Sequence, residues 1–181
     1  MRKKISLAAI AGLVASTVIF AGANTSANAN SNPLNLVKPG SLVVGMTLQF
    51  KPQMYLDEAG KPAGYDVELV KRLAKALRLK LEIKNMDFAG LIPGLVSKQF
   101  DLVSVGLTKN PVREKSIQFV REYMPYTTVL AARSGDATGN TKALWNVAGK
   151  KLTALQGSAA SRIVKADFAS TTLVEFPQQN D

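Results

Sequence analysis

The sequence predicts a parallel, doubly wound α/β sheet followed by the start of a second α/β unit. Short apolar runs at 42–46, 79–83 and 101–105 are separated by stretches with helical periodicity. An order β-α-β-α-β with connections of this length calls for parallel pairing through crossover helices. A chain of 181 residues with 46% apolar and 20% charged composition has material for a real core and suits neither a disordered tail nor a fibrous repeat.

The elements follow in order. Residues 42–46 come after the turn-like Lys38-Pro39-Gly40 and are apolar or small throughout, as in a strand buried on both faces. Asp57-Glu58-Ala59-Gly60-Lys61-Pro62 reads as a turn. Asp66 is expected to cap the next helix, where Leu69, Val70, Leu73, Ala74 and Leu77 make one apolar stripe and Lys71, Arg72, Lys75 and Arg78 a solvated side; Tyr65 is expected in the core. Residues 79–83 alternate with Lys80, Glu82 and Lys84, which predicts a half-buried strand. Asp87, expected as a cap, and a Phe88-Ala89-Gly90 turn lead into a helix at 91–98 with Pro93 in its first turn. The third strand is 101–105.

Residues 116–130 read as an extended segment crossing between units, and 134–141 as a surface loop. A second unit begins with a strand at 151–155, a turn at Gln156-Gly157-Ser158, a helix at 159–168 and a strand at 172–176. Trp145, the only Trp, has no spacing that argues for a site and is expected in packing. In doubly wound sheets ligands collect beyond the carboxyl ends of the strands, so a site should draw on 47–52, 85–90 and 106–113.

Residues 1–29 read as a signal peptide. Arg2, Lys3 and Lys4 precede an apolar stretch at 5–23 that ends in Ala27-Asn28-Ala29, a small-x-small cleavage site. A transmembrane anchor fits less well, because the run is built of Ala, Gly, Ser and Thr and no charged flank follows it. Three of the 23 basic residues and none of the 13 acids lie in this leader, so the formal charge of +10 drops to +7 beyond it. The remaining Lys and Arg are dispersed, which argues against nucleic acid as a partner. The chain has no His and no Cys. Imidazole catalysis, thiolate nucleophiles, thiolate zinc sites, disulfides and a lipoprotein anchor are thereby excluded. The expectation is an exported, unlipidated periplasmic protein with no metal and no cofactor.

Several ordered blocks then carry a resemblance: Leu42-Val43-Val44-Gly45, Gly64-Tyr65-Asp66-Val67-Glu68-Leu69, Met86 to Leu95, Asp101-Leu102-Val103, Gly106-Leu107-Thr108 with Arg113-Glu114, and Leu155-Gln156-Gly157-Ser158. In order and spacing they resemble the periplasmic solute-binding proteins of polar amino-acid ABC transporters (solute-binding protein family 3), and the Asp87-to-Pro93 block is most similar to the glutamine-binding branch. The resemblance implies the periplasmic binding protein-like type II fold, with a first lobe at 30–131 and part of a second at 132–181. It implies an amino acid held between two lobes by hinge closure and delivered by a monomer to an ABC permease in the inner membrane.

The resemblance also implies the site. A zwitterion needs a partner for its carboxylate, and Arg113 suits it because a guanidinium donates two parallel hydrogen bonds. Thr108 would add a hydroxyl, and Gly106 would bring the backbone close to the ligand. Amides at the Asn110-Pro111 helix start would favour an anion. Phe88 would pack against the ligand's apolar stem and Phe50 would form a second wall. Ser158 and Ala159 would present amides from the other lobe.

Read on its own, Arg113 fits equally a surface helix residue paired with Glu114 or Glu122, Phe88 fits plain core, and Ser158 fits a helix cap. Pro52-Gln53 stands where the family commonly has Pro-Phe, and Thr47 stands where some relatives place an acid. The correspondence stops within the second lobe, which implies a truncated chain that binds weakly by itself. Rival readings are a periplasmic cyclohexadienyl or arogenate dehydratase on the same scaffold, which needs a proton-donating acid in the cleft where only Asp87 is available; the sensor domain of a receptor kinase; and a non-functional fragment.

Overall fold

The computed structural model describes residues 34–136, 139 and 141–179, so the expected signal peptide lies outside the described residues. β1 (Ser41–Met46) is the centre of the first sheet and is buried along its whole length, as its unbroken apolar run requires. It pairs in parallel with β5 (Lys80–Asn85), from Ser41 opposite Lys80 to Met46 opposite Asn85, and with β6 (Leu102–Val103), where Val44 faces Leu102. The strand order β5-β1-β6 is that of a doubly wound sheet. Parallel pairing brings all three carboxyl ends to one edge.

Helix α1 (Tyr65–Ala76) and helix α2 (Phe88–Val96) connect these strands. Val67, Val70 and Ala74 of α1 and Leu91 of α2 join Leu42, Val44, Met46 and Phe100 in the core. The ring of Phe100 explains two glycines, because a Cβ on Gly45 would stand 2.8 Å from it and one on Gly94 2.7 Å. Asp101 braces the chain entering β1: its two carboxylate oxygens accept the N–H groups of Val37 and Val43, at 2.6 and 2.8 Å.

Several expectations need correction. Gly64, at φ 111°, holds the capping position of α1, and Asp66 lies in its first turn, fully buried. Tyr65 is 54% exposed instead of core, and the buried stripe is turned toward Val67, leaving Leu69, Leu73 and Leu77 partly in solvent. α2 starts at Phe88, three residues earlier than expected, so Pro93 sits inside it. Asp87 occupies the capping position of α2 without making a side-chain cap; its Oδ1 accepts from the Gln178 amide at 3.3 Å. Three short strands went unforeseen: β2 (Gln49–Phe50), β3 (Met54–Leu56) and β4 (Pro62–Ala63) form a small antiparallel sheet beside α1. Residues 116–130 form no strand.

Beyond α3 (Pro111–Glu114), a 3-10 turn at Ser134–Asp136 and α4 (Lys142–Trp145), the second α/β unit follows expectation. β7 (Lys151–Leu155) and β8 (Thr172–Phe176) pair in parallel from Lys151 opposite Thr172 to Leu155 opposite Phe176, with α5 (Ala159–Asp167) as the connection. Trp145 is half-buried, and its indole N–H donates to the Gly139 carbonyl at 3.0 Å. No helix among the described residues is long and apolar enough to cross a membrane.

Candidate functional site

The segments leaving β5 and β6 meet at Arg113 through Phe88 and Thr108. After β6 the chain passes through Gly106 at φ 56°, in the left-handed region that glycine adopts without strain. Asn110 then starts α3 by accepting the N–H groups of Val112 and Arg113 on its Oδ1, both at 3.0 Å. Those two amides were expected to attract an anion; the Asn110 side chain takes them instead, and α3 is only four residues long.

Arg113 folds back from α3 toward the loop before it. Its Nη1 donates to the Thr108 carbonyl at 2.7 Å and the Thr108 hydroxyl at 3.0 Å, and its Nη2 donates to the Gly157 carbonyl at 3.1 Å. The guanidinium carbon stands 5.7 Å from the centre of the Phe88 ring. The residue is 7% exposed, which removes the surface reading, and Glu114 pairs with Lys109. Among the described residues no carboxylate lies within ion-pairing distance of Arg113. Burial, and then the positive charge of Arg162, lower its pKa. Its Nε hydrogen and one Nη2 hydrogen have no acceptor among the described residues. A buried cation held by neutral dipoles alone, among the described residues, has the chemistry to pair with an anion.

The second unit adds to that potential. Ser158 caps α5, its Oγ accepting the Ser161 N–H at 3.1 Å, while its own N–H donates to the Leu155 carbonyl at 3.1 Å. The N–H groups of Ala159 and Ala160 have no acceptor among the described residues and lie next to the Gly157 carbonyl that Arg113 holds. Gly157 takes φ 73°, and a Cβ there would meet Ala89 at 3.7 Å.

Phe88 and Phe50 are both half-buried and lean on the core cluster. Phe88 reaches Arg113 directly. Phe50 joins through Tyr126, whose ring lies 6.3 Å from its own at 56° and 3.6 Å from where a Cβ on Gly106 would stand. The structure thus brings Gly106, Thr108, Arg113 and Phe88 together, sets Ser158 and Ala159 beside them, and links Phe50 at the edge. Sequence reasoning missed the Gly157 carbonyl and Tyr126. The first was legible only as a turn glycine and the second only as part of Tyr123-Met124-Pro125-Tyr126. Beside the site, Gln49, Asn85, Asp87, Gln156 and Gln178 line a polar groove, across which the Gln179 N–H donates to the Gln49 side chain at 3.3 Å.

Comparison with known proteins bears on the family and the fold. The arginine-binding extracellular protein ArtP of Bacillus subtilis (strain 168) is 34% identical over 132 residues, which are 73% of this chain and 50% of that protein. An ancestral arginine-binding protein bound to glutamine superposes with a TM-score of 0.71 at 32% identity, covering 79% of this chain and 63% of that one. The ancestral amino acid-binding protein AncCDT-1, a precursor of cyclohexadienyl dehydratase, gives a TM-score of 0.72 at 28% identity over 78% of this chain and 63% of that one. The chain therefore spans one half to just under two thirds of the length of these relatives, and its fold is that of the type II periplasmic binding proteins. Residues 42–175, which hold every residue of the candidate site, match one family throughout. The chain belongs to the bacterial extracellular solute-binding proteins, family 3.

Proposed function

We propose that this chain is the extracytoplasmic substrate-binding component of an amino-acid ABC transporter. The observation that carries the proposal is the buried Arg113 guanidinium, which has no carboxylate partner among the described residues and donates to the Gly157 carbonyl in the turn before α5. An α-carboxylate placed there would accept from the Nε and Nη2 hydrogens of Arg113 and from the Ala159 and Ala160 amides, and closure over it would exclude water. Gly106 and Thr108 shape the loop beneath it, Phe88 and Phe50 flank the ligand's apolar stem, and Ser158 fixes the start of α5. Arginine-binding and glutamine-bound relatives support an amino acid as the ligand.

In this reading residues 30–131 and 132–181 belong to two lobes that close on the ligand about a hinge. The protein acts as a periplasmic monomer after removal of residues 1–29, delivers its ligand to an inner-membrane permease, and performs no chemistry. The dehydratase reading has one structural neighbour in its favour, itself titled an amino acid-binding protein. Among the described residues of 47–52, 85–90 and 106–113 the one acid, Asp87, is exposed and bonded to Gln178, which does not suit it to protonate a leaving hydroxyl. Calorimetric titration with amino acids tests the proposal: heat that saturates for the wild type and vanishes for Arg113→Ala supports it. Turnover of prephenate would overturn it.

A further inference from the structure

Segment 123–126 has neither helix nor strand, yet it touches the site from two sides. The Tyr123 hydroxyl donates to Asp66 Oδ1 at 3.0 Å. The Tyr123 ring stacks on Tyr65, with centroids 6.3 Å apart and planes 16° from parallel. Three residues on, Tyr126 covers Gly106 and leans on Phe50. Asp66 is itself 0% exposed, and its second oxygen, Oδ2, is buried with no hydrogen-bond partner. A carboxylate in such a place costs folding free energy, and its bond to Tyr123 is the one side-chain contact that offsets the cost among the described residues.

The loop after β6 is the part that needs ordering. Residues 104–110 lie outside regular structure, and Gly106 has the widest backbone freedom of any residue in them. Two of the three hydrogen bonds that orient Arg113 come from Thr108, within this loop. We propose that Asp66 and Tyr123 are positioning residues for the Arg113 site: their hydrogen bond fixes segment 123–126, Tyr126 then holds the loop at Gly106, and through Thr108 the guanidinium is kept in the geometry that receives a carboxylate. This rests on the reading of Arg113 as the ligand anchor. If the loop were free to leave that geometry, apparent affinity would fall by the fraction of molecules still competent.

Tyr123→Phe deletes only the hydroxyl and keeps the ring on Tyr65. The full chain and its variants are titrated with each of the twenty amino acids well below their melting transitions, and amide hydrogen exchange is followed at 106–108 without ligand. Tyr123→Phe is expected to weaken binding about tenfold and to speed exchange at 106–108 by a similar factor. Asp66→Asn keeps an oxygen facing the Tyr123 hydroxyl and should hold affinity within about twofold, whereas Asp66→Ala should share the loss. Should Asp66→Ala fail to fold, Tyr123→Phe decides by itself. A lower melting temperature in Tyr123→Phe with unchanged affinity, or unchanged exchange at 106–108, overturns the proposal. Faster exchange in that variant, in a chain whose wild type binds no amino acid, supports the brace and overturns the amino-acid function instead.

Discussion

Arg113 and Gly157, 44 residues apart, are joined by a 3.1 Å hydrogen bond from guanidinium to backbone carbonyl. The bond ties the loop after β6 to the turn before α5, so the two sheet units meet at the one buried cation of the candidate site. A carbonyl offers this cation a dipole and no charge. A carboxylate bound here therefore gains a full charge interaction with a largely buried guanidinium.

Arg113→Ala should remove amino-acid binding, with a loss of at least about 3 kcal/mol, roughly a hundredfold or more in Kd. Arg113→Lys should weaken binding at least about tenfold, because an ammonium cannot span both oxygens in parallel. Calorimetry reads both. Wild-type affinity in the Lys variant would mean that a point charge suffices.

Phe88 touches the core on one side and Arg113 on the other. Phe88→Ala should lower unfolding free energy by about 2–3 kcal/mol and weaken binding as well. Phe88→Leu should retain most of the stability and still lose affinity, since an aliphatic chain has no ring face for the guanidinium. Chemical denaturation beside calorimetry separates the two effects.

Two glycines with positive φ should respond differently to alanine. At Gly106 a Cβ would meet Tyr126 at an ordinary contact distance of 3.6 Å, so the loss is that of a left-handed alanine, about 1–2 kcal/mol. At Gly64 a Cβ would stand 2.5 Å from the Gln53 carbonyl, so backbone must shift and the loss should exceed about 3 kcal/mol. Urea melts of both variants check the order.

Burial raises the pKa of Asp66 above its ordinary 3.8, outweighing the opposing hydrogen bond from Tyr123. Between the ordinary and the raised value the unfolded chain has lost this proton and the folded chain still holds it, so stability falls as pH rises through that window. The penalty is absent below the window and complete above it. Asp66→Asn cannot ionise and escapes it. The stability of Asp66→Asn relative to wild type should therefore climb as pH is raised from about 4 to about 7. A relative stability that stays flat with pH would contradict the assignment. Glu82 and Glu175, whose pKa values are lowered chiefly by Lys38 and Ser161 respectively, titrate in the opposite sense but cancel in this comparison.

What was legible in the sequence was what local pattern dictates. β1 could be read because an unbroken apolar run suits only a strand covered on both faces, and the parallel order followed from the helices between strands. Strands β2 to β4, two or three residues each, are too short for any period to show. Asp66 was misread because an acid ahead of an amphipathic stretch ordinarily caps it. Here Gly64 takes that place, lying so close to the Gln53 carbonyl that a side chain would not fit, and Asp66 turns inward to meet Tyr123, 57 residues away. The candidate site divides the same way. The resemblance of the Gly106 to Arg113 block implied an anion site, while the Gly157 carbonyl and the Tyr126 cover are long-range contacts that no spacing announces.

The most direct test compares each amino acid with its own α-carboxamide, which differs only in the charge that Arg113 is held to receive. The thermal melt of the wild-type chain is recorded against the twenty amino acids and their amides, at concentrations high enough to reveal weak binding. An amino acid that raises the melting temperature while its amide does not, with the shift absent in Arg113→Ala, is the predicted result. Equal shifts from acid and amide, or a full shift in Arg113→Ala, would contradict it.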